Sequence, residues 1–117
     1  MGKLTTHVLD TARGKPAAGV RIMLYRVAGN SHKKIAETVT NADGRTDAPM
    51  LDGKAFTAGS YELVFCAGDY LRATGQASGD VLFLDQIPIR FGVPDDTAHY
   101  HVPLLISPFA YSTYRGS

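Results

Sequence analysis

Short runs of β-branched, aromatic and aliphatic residues, cut at close intervals by Gly, Pro, Asn and Asp, extend from Leu4 to Tyr114. That rhythm is the pattern of an all-β sandwich or barrel. Branched and aromatic side chains suit a pleated, half-buried surface, and the interrupting residues suit tight turns. Eight strands are predicted, over residues 4–10, 20–27, 34–40, 45–49, 60–66, 86–93, 99–106 and 110–114. Side chains alternate across a strand, so Tyr61, Leu63 and Phe65 share one face while Glu62, Val64 and Cys66 share the other. By the same rule Val20, Ile22 and Leu24, then Ile87, Ile89, Phe91 and Val93, and finally Tyr100, Val102 and Leu104 form core faces. Asn41-Ala42-Asp43-Gly44 is a tight-turn signal, because Asn and Gly tolerate positive φ. Residues 11–16 read as a second turn segment. One short helix is predicted over 68–75, with Asp69 as N-cap and Gly75 as stop.

At 117 residues the chain is expected to be one domain, 1–117. Surface scaling gives about 6,200 Å² for the folded chain and buries about two-thirds of the unfolded surface, enough for one core without disulfides or metals. A two-lobed enzyme, a dinucleotide-binding domain with a substrate domain, or an eight-stranded α/β barrel does not fit. Any active site must be small, or shared between subunits. Twelve Lys and Arg against eleven Asp and Glu leave a net charge of +1. Such a balance provides no field to attract nucleic acid or an anionic membrane. No apolar run reaches the 18 residues of a membrane span. The opening residues lack the apolar core of a secretory signal, and the lone Cys66 has no partner for an internal disulfide. Both point to the cytoplasm, with Cys66 a small buried hydrophobe.

The polar residues of the predicted strands leave several readings open. His7, His99 and His101 lie in strands. Imidazole is the side chain best suited to proton transfer near neutral pH, although surface or hydrogen-bonded core histidines are commoner. His99 and His101 share a face and have the spacing to chelate a metal, but no acidic or Cys cluster supplies further ligands. That face also carries Pro103 and Leu105, so the strand is expected to be covered on both sides, the second cover being another subunit. Arg45, directly after the tight turn, is either a solvated hairpin charge or an anion clamp. The tail Ser112-Thr113-Tyr114-Arg115-Gly116-Ser117 either frays or lines a pocket. Nucleophile-elbow, phosphate-loop and His-Glu-x-x-His patterns are absent, and no aromatic-basic stripe favours nucleic acid.

Four segments together resemble the transthyretin-related 5-hydroxyisourate hydrolase family. They are Leu4-Thr5-Thr6-His7-Val8-Leu9-Asp10 with Gly14-Lys15-Pro16-Ala17, then Thr40-Asn41-Ala42-Asp43-Gly44-Arg45, then His99-Tyr100-His101-Val102-Pro103-Leu104-Leu105, and the closing Tyr114-Arg115-Gly116-Ser117. Their order and their spread over the chain make the resemblance specific. It implies a transthyretin-like (prealbumin-like) β-sandwich of two four-stranded sheets with one short helix. It implies a homotetramer, a dimer of dimers, with the active sites in a central channel. The implied reaction is hydrolysis of 5-hydroxyisourate to 2-oxo-4-hydroxy-4-carboxy-5-ureidoimidazoline in urate degradation, with no metal or organic cofactor. By motif matching, His7, Arg45 and His101 are the implied catalytic residues. His7, Arg45, Tyr114, Arg115, Gly116 and Ser117 are the implied substrate-binding residues. Transthyretins share the fold and bind thyroid hormones without hydrolysis, so a small-molecule binder is the competing class. They lack the histidines and the closing tetrapeptide that this chain carries.

Overall fold

The computed structural model describes residues 1–116. Its strands are β1 (Lys3–Thr5), β2 (Val8–Asp10), β3 (Lys15–Pro16), β4 (Arg21–Ala28), β5 (Ser31–Val39), β6 (Leu51–Asp52), β7 (Gly59–Cys66), β8 (Gln86–Val93), β9 (Tyr100–His101), β10 (Leu104–Ser107) and β11 (Ala110–Thr113). Helix α1 (Ala67–Ala73) connects β7 to β8, and a single 3₁₀ turn, Gly53–Ala55, follows β6. The longest alternating runs form an antiparallel sheet in the order β5-β4-β7-β8. Its inner face presents the expected Val20, Ile22, Leu24, Tyr61, Leu63, Phe65 and Ile87, all buried. The folded surface is 6281 Å², in line with the scaling expectation.

The other layer departs from the two-sheet expectation. It consists of a four-stranded sheet, β11-β10-β2-β3, and a separate three-stranded one, β6-β1-β9. Two predicted strands, 4–10 and 99–106, are each broken in the middle. Pro103 has no N–H to give to a ladder. The buried Thr6 hydroxyl donates to the Val102 carbonyl at 2.7 Å. Backbone bonds still bridge the gap, from Val102 N–H to Thr5 O and from Leu104 N–H to His7 O, both 2.9 Å. The parallel pairs β1–β9 and β2–β10 therefore flank a short irregular step that holds Thr6 and His7.

Smaller differences have local causes. Residues 45–49 are not a strand; Arg45 makes only an isolated bridge with His7, and pairing resumes at β6. Residues 15–16, read as turn, pair with β2. The helix N-cap is Cys66, with no side-chain capping bond, whereas Asp69 lies in the first turn, where its charge suits the helix dipole. Glu62, Val64 and Cys66, on the second face of β7, are buried as well. Met23, Val64 and Cys66 form a small outer cluster there, and burial pushes the Cys66 thiol pKa up. Glu62 takes Arg90 at 3.0 Å and His32 at 3.3 Å. Among the described residues no helix is long and apolar enough to cross a membrane.

Asp10, fully buried at the end of β2, ties that strand to the helix. It accepts from the Tyr70 hydroxyl at 2.7 Å, the Gln76 side-chain amide at 2.8 Å and the Arg13 N–H at 2.9 Å. Burial pushes its carboxyl up, but the hydrogen bonds outweigh burial and leave its pKa below the usual value. Burial and the Asp10 bond push the Tyr70 pKa up to about 12. A depressed carboxyl pKa contributes stability that is present above the unfolded value and lost as pH falls through the folded one. Tyr70→Phe should cost about 1–2 kcal/mol in urea unfolding at pH 7, and the variant should lose less further stability on acidification than the wild type, because its Asp10 pKa moves up toward the unfolded value.

Candidate active site

Arg45 is placed by the turn before it. The Asn41 side-chain carbonyl accepts from Asp43 N–H at 2.9 Å and Arg45 N–H at 3.2 Å, while Gly44 N–H bonds to Asn41 O at 2.9 Å. Gly44 has φ +71°, and a Cβ there would overlap the carbonyl oxygen of Val8. Only glycine allows this approach, and the Val8 N–H in turn bonds to Gly44 O at 2.8 Å. The turn is thereby fastened to the start of β2, and Arg45 bridges His7.

His7, in the step between β1 and β2, meets His101 of β9. The His7 Nδ1 and His101 Nε2 atoms are 2.7 Å apart, and the rings stack at 4.8 Å between centroids. His101 Nδ1 lies 2.8 Å from the Thr5 hydroxyl. Burial lowers the pKa of both imidazoles. The charge of His101 and then that of Arg45 lower His7 further, and Arg45 lowers His101. Both rings are therefore held neutral at pH 7, able to accept a proton.

These groups line a cavity of about 710 Å³ with Lys3, Thr6, Thr46, Asp47, Ala48, Pro49, Tyr114 and Gly116. The closing segment is tied down rather than frayed. Gly116 N–H bonds to His101 O at 2.6 Å, and its Cα packs so near the His101 ring that a Cβ would come within 3.0 Å of it. Tyr114 borders the cavity and is 55% exposed. Arg115 lies elsewhere. Its guanidinium sits 4.3 Å over the Tyr100 ring and donates to His99 O at 3.3 Å, beside a separate cavity of about 230 Å³. The structure thus brings His7, Arg45, His101, Tyr114 and Gly116 together and leaves Arg115 outside. Ser117 falls outside the described residues, and His99 is exposed and does not line the cavity.

A profile of the HIUase/Transthyretin family matches residues 4–116, the span that holds His7, Arg45, His101, Tyr114 and Gly116. The chain belongs to that family. A HIUase/Transthyretin relative from Mesorhizobium japonicum, named 5-hydroxyisourate hydrolase, is 61% identical over 116 residues, covering 99% of this chain and 93% of that protein. Among solved structures, an (S)-allantoin synthase superposes with a TM-score of 0.93 at 49% identity. It covers 99% of this chain, which spans only 44% of that longer one. Sea bream transthyretin in complex with thyroxine superposes with a TM-score of 0.85 at 28% identity, covering 97% and 94%.

Within this HIUase/Transthyretin site, the sequence reading passed over Lys3 and Thr5. The signal was present, since Lys3, Thr5 and His7 follow one another at the two-residue period of a strand face. Asp47 and Pro49 had no such signal, because a loop brings them in. The Arg115 contacts make it an anchor for the tail. Arg115→Ala should speed amide hydrogen exchange at Gly116 while lowering global stability by only about 0.5–1 kcal/mol, as expected for an exposed cation–π contact.

Proposed function

We propose that this chain is a 5-hydroxyisourate hydrolase, converting 5-hydroxyisourate to 2-oxo-4-hydroxy-4-carboxy-5-ureidoimidazoline in urate degradation. The carrying observation is the convergence of His7, His101 and Arg45, far apart in sequence, on one cavity. The 61% identity to the Mesorhizobium japonicum hydrolase supports the same reading. Residues 1–117 act as one hydrolase domain. The histidine pair orients a water and takes its proton as the oxygen attacks a ring amide carbonyl. Arg45 stabilises the negative charge that develops on the carbonyl oxygen. The proton is returned to the departing ring nitrogen, so the cycle uses only water and the chain's own groups.

A positioned general base contributes about 10²–10⁴ in rate, and loss of one oxyanion donor costs about 10²–10³. Tyr114 and Ser117 hold the substrate, Gly116 forms the wall behind His101, and Arg115 serves through the tail it anchors. The working form is a homotetramer, a dimer of dimers, with the cavities in its central channel. The half-buried Leu105 and the exposed Tyr111 and Tyr114 support a further cover over this layer. The lone, buried Cys66 suits a reducing cytoplasm.

A spectroscopic assay on freshly generated 5-hydroxyisourate tests the reading. The wild type should accelerate decay strongly, His7→Ala and His101→Asn should lower kcat by about 10²–10⁴, and Arg45→Ala by about 10²–10³. Thyroxine binding with no acceleration would instead favour the transthyretin-like class. Because both imidazoles titrate below their ordinary value of 6.5, the acid limb of kcat/KM should fall below pH 6.5. Stability should move the same way: the unfolded chain binds more protons below that pH, so stability decreases as pH drops.

A further inference from the structure

Resting on the hydrolase reading, the structure assigns a positioning role to Thr5, which the resemblance and the comparisons leave without one. We infer that the Thr5 hydroxyl accepts the Nδ1 proton of His101 and thereby sets the direction of the whole chain of hydrogen bonds, leaving His7 Nε2 as the proton acceptor.

The inference follows from counting donors. A neutral imidazole carries one N–H and one lone pair. His101 Nδ1 is 2.8 Å from Thr5 Oγ1, and His101 Nε2 is 2.7 Å from His7 Nδ1. If His101 carries its proton on Nδ1, its Nε2 must accept, so His7 must carry its proton on Nδ1. The lone pair then lies on His7 Nε2, which has no hydrogen bond to any other described residue. The opposite direction would put a proton on His7 Nε2 and leave the pair with no free base. Once His7 Nε2 has taken a proton from water, its Nδ1–H still donates to His101 and the His101 Nδ1–H still donates to Thr5. The arrangement with Thr5 as acceptor therefore persists through the cycle, and no ring or proton rearrangement is needed before the proton is returned.

A hydroxyl suits this place better than a carboxylate. Carboxylate orients an imidazole but also favours its charged form. The charged residues that line the cavity with the pair are Lys3, Arg45 and Asp47, and Tyr114 is the one phenol there. Thr5 adds orientation without adding charge to that set. Thr5 ends β1 two residues before His7, and the Thr5–His101 register of β1 and β9 aligns those two residues directly.

Two measurements test this. Imidazole ¹⁵N chemical shifts of the wild-type protein at pH 8, which do not depend on activity, should show His101 and His7 both protonated on Nδ1. Protonation of His7 on Nε2 would overturn the proposal even if the protein hydrolyses 5-hydroxyisourate. In the assay, Thr5→Val should lower kcat about 10–100-fold, the scale typical when the outer partner of a functional histidine is lost, with KM little changed. Thr5→Ser should restore most of it and return the Nδ1 signal of His101. Wild-type kcat in folded Thr5→Val across pH 5–9 would overturn the assignment. Absence of any wild-type turnover, with the Nδ1 tautomers present, would overturn the hydrolase reading and leave the Thr5 geometry standing.

Discussion

The parallel pairing of β1 with β9 and of β2 with β10 supports everything else at the site. Leu4 and Thr5 lie against Tyr100 and His101, and Val8 to Asp10 lie against Leu104 to Ile106. Between these ladders the sheet steps at Thr6 and Pro103, and the step frees His7 from regular pairing on one side so that it meets Arg45. A continuous strand would hold His7 in a ladder with its neighbours. The buried Thr6 hydroxyl makes the interruption tolerable by satisfying the Val102 carbonyl. Asp10 fixes the far end of the same strand to the helix, so the step is braced from both sides.

Electrostatics then does locally what net charge does not do globally. A chain with net charge +1 has no field to draw in an anion, yet Arg45 and Lys3 face one cavity. Arg45 also opposes protonation of the two histidines, as burial does. A single cation thus serves two purposes: it favours negative charge on a bound molecule and keeps the neighbouring base unprotonated. The Asn41–Gly44 turn that delivers it is rigid because its hydrogen bonds close on themselves and on Val8.

Much of this was legible in the sequence. Two-residue alternation in 60–66 and 86–93 located β7 and β8, since those strands are long and one of their faces is uniformly apolar. The Asn-Ala-Asp-Gly turn and the position of Arg45 after it were equally plain. The split of residues 4–10 and 99–106 was not, because alternation continues through both breaks and only the third dimension shows which carbonyl Thr6 meets. Arg115 illustrates the same gap: the motif places it among substrate-binding residues, but stacking on Tyr100, fifteen positions earlier, turns it aside. Tail motifs identify which residues matter together without distinguishing those that face the cavity from those that hold the backbone in place.

The distance in sequence between the two histidines also sets an order of events in synthesis. His7 leaves the ribosome ninety-four residues ahead of its partner His101. The β5-β4-β7-β8 sheet, built from neighbours in sequence, is able to form before then, whereas the layer that carries the site waits for the distal strand. Until that strand arrives, β1 has only β6 and β2 only β3 to pair against, and the other edge of each stands open. The nascent chain therefore acquires its scaffold first and its chemistry last, and a transcript cut short upstream of residue 100 would yield a half-built sandwich with its N-terminal strand exposed.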